Sequence, residues 1–368
     1  MSKKIKPKAP PVFLASMVFK FTNFLNKLRR KILPPQAILV EYTLEYILLQ
    51  RSIFACVELF LPTYLEDGPQ SIEYIAEKAG MNTRALYRVM RCLAAYGIFK
   101  EKKDKFFENT PLSEYLIYGK ESSVAPLAKF AASPLVTGIL CDIVYSIEKE
   151  KSLPQIKYKK NFFKWLEKHP EEYRVFDEGM TSLSGLSDDP IAAVYNFSKI
   201  GTLVDVGGGH GGQLATILKA HPHMKGILFD LPRVIDGSKN ESTFDDPIFE
   251  GRVEFVGGSF FDSVPAGGDA YYLRHIAHDW YDDDLIKILT NCRKAMNDKA
   301  KLLVAEMVIK HDNNHHFGKI LDVSMLSLLD GRERTEEEFA EAFEKSGFKL
   351  NRIIPTASPY SLLEGVPV

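Results

Sequence analysis

A glycine-rich loop in the C-terminal half is the first place where this sequence could do chemistry. The apolar run Thr202–Val206 leads into five glycines in six positions, and a helical pattern follows from Gln213. Glycines let the backbone turn sharply and approach a ligand closely at a helix N-terminus. The loop therefore predicts a nucleotide-binding site. Gly207, Gly209 and Gly212 also fit dinucleotide-binding spacing, so the loop alone does not identify the nucleotide.

Two carboxylates near this loop favour a cationic nucleotide. Asp205 stands two residues before the first glycine, and Asp230 follows the next apolar run. A carboxylate at the binding edge repels a pyrophosphate but attracts an amino group, and an acid at the end of the second strand accepts hydrogen bonds from ribose hydroxyls. The sequence therefore favours S-adenosylmethionine over NAD.

A pair of histidines follows the fourth apolar run, in the stretch RHIAHDW of residues 274–280. This position is expected at the carboxyl edge of a sheet, where ligands of such folds bind. Methyl transfer from a sulfonium is an in-line displacement that needs a positioned nucleophile and a group that takes its proton. An imidazole with its ordinary pKa of about 6.5 is neutral enough at pH 7 to accept that proton.

The elements that would hold these residues form an alternating pattern. From Gly201 onward, apolar runs alternate with helical stretches, at Thr202–Val206, Gly226–Phe229, Val253–Val256, Ala270–Leu273 and Leu302–Ala305. The pattern predicts the α/β class, with a doubly wound, parallel, Rossmann-like sheet. Two more strand candidates, FKLNRIIPT and YSLLEGVPV, close the chain with only a few residues between them. Because so short a connection cannot cross the sheet, we expect this pair to be antiparallel.

The N-terminal half predicts a mainly helical domain. A long apolar helix pattern covers Ala37–Leu61, and two helices with a turn and a hairpin then follow, which is the winged-helix arrangement. A basic stripe on the second helix could read DNA, at Arg84, Arg88 and Arg91. Apolar residues bury the other side of that helix and the surrounding chain is acidic, so we favour dimerisation and expect no nucleic-acid partner.

The overall composition excludes several classes of protein. The chain has 368 residues, of which 45% are hydrophobic, and 47 basic residues balance 48 acidic ones. These values are ordinary for a soluble protein of about two domains and argue against a disordered or polytopic membrane protein. Four scattered cysteines without a CxxC pair favour reduced thiols and a cytoplasmic location. We expect no metal, and interpret His311, His315 and His316 as a solvated loop.

Residues 1–34 differ from the rest. The first 35 residues hold nine Lys or Arg and no acid, whereas the remaining 333 carry a net charge of −10. The apolar run is too short for a membrane span and lacks a signal-peptide cleavage pattern. Its apolar residues fall at helical spacing, at Phe13, Leu14, Met17, Val18, Phe21, Phe24, Leu25 and Leu28. Such a basic amphipathic helix lies on an anionic membrane or docks on protein; packing on its own chain or on a dimer mate is favoured.

Six motifs occur together and in order: the Asp205-x-Gly207-x-Gly209-x-Gly211 loop, FDLPRV, VGGSFFDSVP, RHIAHDW, VAEMV and GRERTEEEF. From about Pro35 to Val368 the chain resembles the class I S-adenosylmethionine-dependent O-methyltransferases of the caffeate, isoflavone and hydroxyindole type, including bacterial small-molecule enzymes. The resemblance implies a homodimer with an N-terminal winged-helix-like dimerisation domain before a Rossmann-like domain with an antiparallel last strand. We predict three segments: 1–34 as a basic amphipathic extension, 35–165 as dimerisation and lid helices, and 166–368 as the cofactor-binding catalytic domain.

The resemblance also implies roles for individual residues. His278 matches the family's general base, and Glu306 and Glu333 would orient it, whereas His275 is better interpreted as packing or capping. The implied cofactor contacts are Ser184, Asp205, Gly207, Gly209, Gly211, Asp230, Leu231, Ser259, Phe260, Arg274, Asp279 and Trp280. Two positions depart from the family pattern, because the family often has Asp where this chain has Ser259 and Lys where this chain has Arg274. Ser259 is shorter than Asp and uncharged, and Arg274 keeps the charge of Lys but not its geometry.

The acceptor is expected to be a small aromatic or polyketide-like molecule with a hydroxyl group. Candidate pocket residues are Phe162, Phe163, Trp165, Phe176, Met180, Met325 and Leu326, which imply an apolar, flat cavity. Methylation of nitrogen or carbon also stays open, because the same base serves several nucleophiles, and so do two alternatives to methyl transfer. Some family relatives keep the cofactor but hydroxylate or decarboxylate instead, typically without the base. A winged-helix regulator that senses S-adenosylmethionine is the non-enzymatic alternative.

Overall fold

The computed structural model describes residues 9–120, 122–239 and 242–368. They divide into two compact units, and each is described here by itself. One consists of Met1–Asn23, Asp142–Phe162 and Ser187–Val368, and is called the sheet unit. The other consists of Phe24–Cys141 and Phe163–Leu186, and is called the helical unit. The three predicted segment boundaries stay predictions.

The sheet unit is built on seven strands in the order β6-β5-β4-β7-β8-β10-β9. Their bounds are β4 Thr202–Val206, β5 Lys225–Asp230, β6 Val253–Gly257, β7 Ala270–Arg274, β8 Lys301–Glu306, β9 Phe348–Pro355 and β10 Ser361–Pro367. The first five are parallel, while β10 pairs antiparallel with both β8 and β9. The predicted parallel strands and the antiparallel final pair are therefore confirmed. The carboxyl ends of β4, β5, β7 and β8 share one edge of the sheet.

Helices cover both faces of this sheet, and a separate buried apolar cluster fills each interface. The helices of this unit after α1 are α9 Ile143–Lys149, α10 Leu153–Tyr158, α13 Asp188–Ala192, α14 Gly212–Ala220, α15 Pro232–Ser238, α16 Asp282–Ala295, α17 Phe317–Leu328 and α18 Glu336–Lys345. Strands covered on both faces become nearly continuous apolar runs, as β4 and β7 are. This explains why the strands were recognisable in the sequence.

The helical unit contains the predicted winged helix. Its helices are α2 Pro35–Val40, α3 Tyr46–Glu58, α4 Ile72–Ala79, α5 Thr83–Ala95, α6 Pro111–Glu114, α7 Ala125–Ala131, α8 Pro134–Leu140, α12 Pro170–Gly185 and, from its second residue on, α11 Phe162–Leu166. The hairpin strands β2 Phe99–Glu101 and β3 Phe106–Asn109 pair antiparallel, and β1 Gln70–Ser71 adds to β3. Ser71 caps α4 and Asn82 caps α5 through their side chains.

The long apolar helix predicted over Ala37–Leu61 is present as α2 and α3, joined by a π-helical segment at Glu41–Glu45. Large apolar side chains of this stretch are exposed, at Leu39, Val40, Tyr42, Leu44, Tyr46, Ile47 and Leu48. An exposed apolar set of this size is typical of a surface that binds another protein.

The N-terminal extension forms α1, Val12–Ile32, in which no residue is buried. Among the described residues, no helix is long and apolar enough to cross a membrane.

Candidate active site

The glycine loop between β4 and α14 has backbone geometry that only glycine adopts easily. Gly207, Gly209 and Gly211 all have positive φ, between 56° and 79°. A Cβ on Gly207 would lie 2.5 Å from Cδ1 of Ile276, and one on Gly211 would lie 2.5 Å from the ring of Phe244. The loop is thus a tight cradle that any side chain would fill, as close approach by a nucleotide requires.

Buried carboxylates surround this cradle. Asp230 at the end of β5 accepts the N–H of Gly209 at Oδ2 (2.9 Å) and that of Leu231 at Oδ1 (2.7 Å), so it also fixes the loop. Asp205 in β4 is also buried, and burial raises its pKa to about 7. Burial raises the pKa of Asp230 as well. Because a cation nearby stabilises both carboxylates, their chemistry fits a positively charged ligand.

Arg274, at the end of β7, is held by the protein itself. Its guanidinium pairs with the carboxylate of Asp188 and donates to Oε1 of Gln213 (3.0 Å) and to Oγ of Ser187 (2.7 Å). Arg274 is predicted to contact the cofactor. These contacts favour a different role, in which Arg274 orders the start of α13 beside the loop. Sequence reasoning missed Asp188, because an acid before a short helix looks like an ordinary capping residue.

Aromatic side chains predicted for the adenine side lie together. The ring of Trp280 meets those of Phe261 and Phe260 edge-on, with centroids 4.8 and 6.1 Å away. The hydroxyl of Ser259 accepts the N–H of Phe261 at 3.2 Å and so closes the turn after β6. Ser259 thus shapes the turn that carries the aromatic pair.

The second half of the site is built around His278, which lies on the short helical turn Ala277–Asp279 directly after β7. Glu306 ends the neighbouring strand β8, so the two residues meet at the same sheet edge. Nδ1 of His278 lies 2.7 Å from Oε2 of Glu306, and Oε1 of Glu306 accepts the N–H of Ala277 at 2.8 Å. Oε1 of Glu333 lies 3.6 Å from the same Nδ1. The structure therefore brings together all three residues predicted for catalysis.

These charges set the protonation of His278. Burial alone would lower the pKa of this imidazole, but the charges of Glu306, Glu333 and Asp279 outweigh burial and raise it to about 10. Burial in turn raises the pKa of Glu333 to about 8 and that of Asp279 to about 7. This differs from the ordinary histidine pKa assumed from sequence, because the sequence does not show three carboxyl groups converging on one ring. His278 is a strong base that must lose a proton before it can accept one.

His275 lies between β7 and this turn, in the left-handed region at φ 56°. Its ring packs 4.5 Å from that of Tyr360 and 5.7 Å from that of His278, measured between centroids. Burial and the charge of Arg274 keep its pKa well below the usual range. These contacts favour the packing role predicted for it.

Sequence reasoning missed two neighbours of His278 on the segment 331–334. Arg334 is fully buried and donates to the carbonyl oxygens of Ala277 (2.6 Å) and Trp280 (2.8 Å). Gly331 packs against the backbone of His278 so closely that a Cβ would overlap its carbonyl oxygen. Both stand in the charged run GRERTEEEF, which is typical of a solvated helix start, and the signal that could have found them was their position within two residues of Glu333.

The remaining predicted residues fall in both units. Phe162, Met325 and Leu326 belong to the sheet unit. Ser184 and the other pocket candidates, Phe163, Trp165, Phe176 and Met180, belong to the helical unit. Within that unit the rings of Phe163 and Phe176 lie 6.0 Å apart, and that of Trp165 stacks on His169 at 3.7 Å. Their contacts with an acceptor stay predictions.

One group of side chains among the described residues has metal-ligating geometry. Ligand atoms of His278, Glu306 and Glu333 lie within 4.8 Å of one another. Two of these atoms, however, already share the His278–Glu306 hydrogen bond.

Comparison with known proteins gives two family matches. Residues 140–349 match the O-methyltransferase domain, and residues 41–119 match the O-methyltransferase dimerisation domain. The phenazine O-methyltransferase PhzM of Lysobacter antibioticus is 36% identical over 338 residues, which cover 91% of this chain and 97% of that protein.

Two further relatives bear on the chemistry. The 8-amino-8-demethylriboflavin N,N-dimethyltransferase of Streptomyces davaonensis is 31% identical, covering 85% of this chain and 90% of that protein. The structure of CalO1, a methyltransferase in calicheamicin biosynthesis solved in its SAH-bound form, aligns with a TM-score of 0.81 and 28% identity over 91% of this chain and 98% of that one. These matches show that the chain belongs to the S-adenosylmethionine-dependent O-methyltransferases, with an N-terminal dimerisation domain.

Proposed function

We propose that this enzyme methylates a hydroxyl group of a small aromatic or polyketide-like acceptor, with His278 as the general base. The observation that carries the proposal is the 2.7 Å contact between Nδ1 of His278 and Oε2 of Glu306. A carboxylate on Nδ1 fixes the tautomer in which Nε2 accepts a proton, and it stabilises the imidazolium that forms. Relatives that act on a phenazine and in calicheamicin biosynthesis support the acceptor class.

Bound S-adenosylmethionine supplies an electrophilic methyl group on a sulfonium. Asp205, Asp230 and the backbone of Gly207, Gly209 and Gly211 are the residues we assign to hold it. The acceptor oxygen then forms a bond to the methyl carbon while the carbon–sulfur bond breaks, and the hydroxyl proton passes to Nε2 of His278. Such proton transfer contributes typically ~10²–10⁴-fold to a rate. The products are a methyl ether, S-adenosylhomocysteine and an imidazolium.

The paired base favours methyl transfer over the alternatives. Relatives that hydroxylate or decarboxylate typically lack this histidine, whereas here it is buried and hydrogen-bonded. The comparisons constrain the nucleophilic atom of the acceptor less than they constrain the reaction type, since one relative is an N,N-dimethyltransferase. A mass-spectrometric screen of phenols, naphthols and aromatic amines with S-adenosylmethionine tests the proposal. Methylated phenols support it; amine products alone would contradict it, and DNA binding through Arg84, Arg88 and Arg91 without turnover would favour a regulator.

We propose that catalysis needs no metal ion. Both oxygens of Glu306 already accept hydrogen bonds from its own chain, which leaves the His278–Glu306–Glu333 group poorly suited to a cation. Turnover should therefore survive dialysis against EDTA. Loss of activity on chelation, restored by a divalent cation, would overturn the proposal.

We propose a cytoplasmic homodimer. The match to a dimerisation domain and the exposed apolar residues on α2 and α3 support the dimer. The four cysteines are free, which supports a reducing compartment.

We further propose that α1 rests on an anionic membrane surface. Its apolar residues share one face, whereas its contacts within the sheet unit come from another. Asn23 donates to the carbonyl of His315 (3.4 Å), and Phe19 meets the ring of His316. At 3.6 residues per turn, these two residues lie opposite the apolar face, which therefore points away from that contact. Lys20, Lys27 and Lys31 border the apolar face, as in helices that lie on membranes.

A further inference from the structure

The segment Gly331–Arg334 touches the His278 turn at more points than proton transfer requires. Glu333 faces Nδ1 of His278 directly, but Gly331 and Arg334 contact only the backbone of the turn. We infer that Gly331 and Arg334 are positioning residues, which clamp the turn Ala277–Trp280 and so set the orientation of His278 toward Glu306. This inference rests on the proposed role of His278 as the base.

Arg334 grips the turn from both ends. Its Nη1 donates to the carbonyl of Ala277 at 2.6 Å, before His278, and its Nη2 donates to the carbonyl of Trp280 at 2.8 Å, after it. Nε and Nη2 also donate to Oδ1 of Asp282, at 3.0 and 2.8 Å, at the start of α16. A planar guanidinium with donors in a fixed fork ties these three points together, which a lysine could not do.

Gly331 sets the distance between the two segments. A Cβ there would overlap the carbonyl oxygen of His278 and lie 2.5 Å from the carbonyl carbon of Asp279. These are backbone atoms, so no side-chain rotation relieves the overlap. Only glycine lets the segment lie directly against the turn.

The clamp is itself anchored from three sides. The N–H of Glu333 donates to Oδ1 of Asp322 (2.8 Å) on α17, and the carbonyl of Arg334 accepts the N–H of Ile309 (3.0 Å). Thr335 then starts α18 with a reciprocal capping box to Glu338. The segment is therefore a fixed support that can hold the turn in place.

Arg332 provides a matched control two residues away. Its guanidinium also pairs with Asp282 (3.2 Å), and with Glu338 (3.1 Å), but its side chain is more exposed. The contacts that the structure gives it do not reach the carbonyls of the turn. Arg332→Gln therefore removes a charge and an Asp282 contact without opening the clamp.

The experiment compares Arg334→Gln, Gly331→Ala and Arg332→Gln as full-length enzymes. A displaced base costs up to ~10²-fold in rate. We expect the first two to lower kcat by ~10-fold or more with S-adenosylmethionine affinity unchanged, and Arg332→Gln to change kcat less than about threefold. Added guanidinium should partly restore an Arg334→Ala variant. Equal kcat losses in Arg334→Gln and Arg332→Gln would overturn the inference.

A second readout does not depend on turnover. His278 is faced by Glu306, Glu333, Asp279 and the ring of His275. NMR titration of labelled histidines, assigned with His278→Gln, should show that opening the clamp moves the pKa of His278 down toward its ordinary value. An unshifted titration in folded Gly331→Ala would overturn the clamp, even if Arg334→Gln did not fold. Full activity of His278→Ala would instead refute the base assignment, with the titration still reporting on the clamp.

Discussion

Glu306 holds His278 by two hydrogen bonds at once, because one carboxylate oxygen contacts Nδ1 of the ring and the other accepts the N–H of the preceding residue, Ala277. The ring and the backbone that carries it are thus fixed to the same group. Since β7 and β8 are adjacent parallel strands, this pairing follows directly from sheet order. The carboxylate also keeps the pKa of the imidazole high, which makes the base strong and its free form scarce at neutral pH.

The first prediction concerns Glu306→Gln. With the pKa of His278 raised to about 10, the neutral imidazole becomes more abundant as pH rises, so kcat/KM of the native enzyme should increase from pH 7 toward pH 10. Removing the Glu306 charge lowers that pKa, so the rising limb should move to lower pH while the maximal rate falls. The pH profiles of kcat/KM are measured for the native enzyme and for Glu306→Gln with the same acceptor. The ionisation of the acceptor then affects both profiles equally. Superimposable rising limbs would contradict the role of Glu306.

Much of this site could be predicted because sheet order places strand ends together. The runs ending at Val206, Asp230, Arg274 and Glu306 are apolar enough to identify the strands, and parallel strands share their carboxyl edge. The short connection before β10 likewise identified the antiparallel pair. These are local patterns with a single structural solution.

The remainder depends on contacts that no local pattern records. Arg334 lies in a run of charges typical of a solvated helix start, yet its side chain is fully buried beneath the His278 turn. The raised pKa of His278 arises because Glu306 and Glu333, from two other segments, meet its ring beside the neighbouring Asp279. The left-handed backbone of His275 directly follows β7, and no local pattern of residues indicates that conformation.

The second prediction separates the two histidines. His278→Ala should lower turnover by ~10²-fold or more with S-adenosylmethionine affinity nearly intact. His275→Asn should cost much less, since asparagine tolerates the left-handed backbone at this position. Steady-state kinetics and calorimetry with S-adenosylmethionine measure both effects. A larger loss in His275→Asn, at equal melting temperature, would refute the assignment of the base.

The third prediction concerns cofactor binding. Burial raises the pKa of Asp205 to about 7, and a bound cation should lower it, so binding releases a proton below that pH. Affinity for S-adenosylmethionine should therefore rise as pH increases from about 5.5 to 7 and then level off. In Asp205→Asn, affinity should be weaker and this pH dependence should flatten. Isothermal titration calorimetry in buffers of different ionisation enthalpy measures both affinity and proton release.

Asp189→Asn is the control for this comparison, since it removes a carboxylate from the same unit at the start of α13. It should leave the pH dependence unchanged. If native binding released no proton near pH 6, Asp205 would not be the group that responds to the cofactor.

The last prediction concerns α1. The native protein should sediment with vesicles of phosphatidylserine and phosphatidylcholine but not with phosphatidylcholine alone, and salt should weaken binding because lysines border the apolar face. Phe21→Glu with Leu25→Glu places two charges on that face and should abolish binding. Thr22→Glu with Asn26→Glu adds the same charge on another face and should retain most of it. Light scattering of each protein tests the alternative, in which a second copy of the chain covers α1. In that case the native protein would not bind vesicles, and only Phe21→Glu with Leu25→Glu would dissociate the dimer. This result would show that the membrane proposal is wrong.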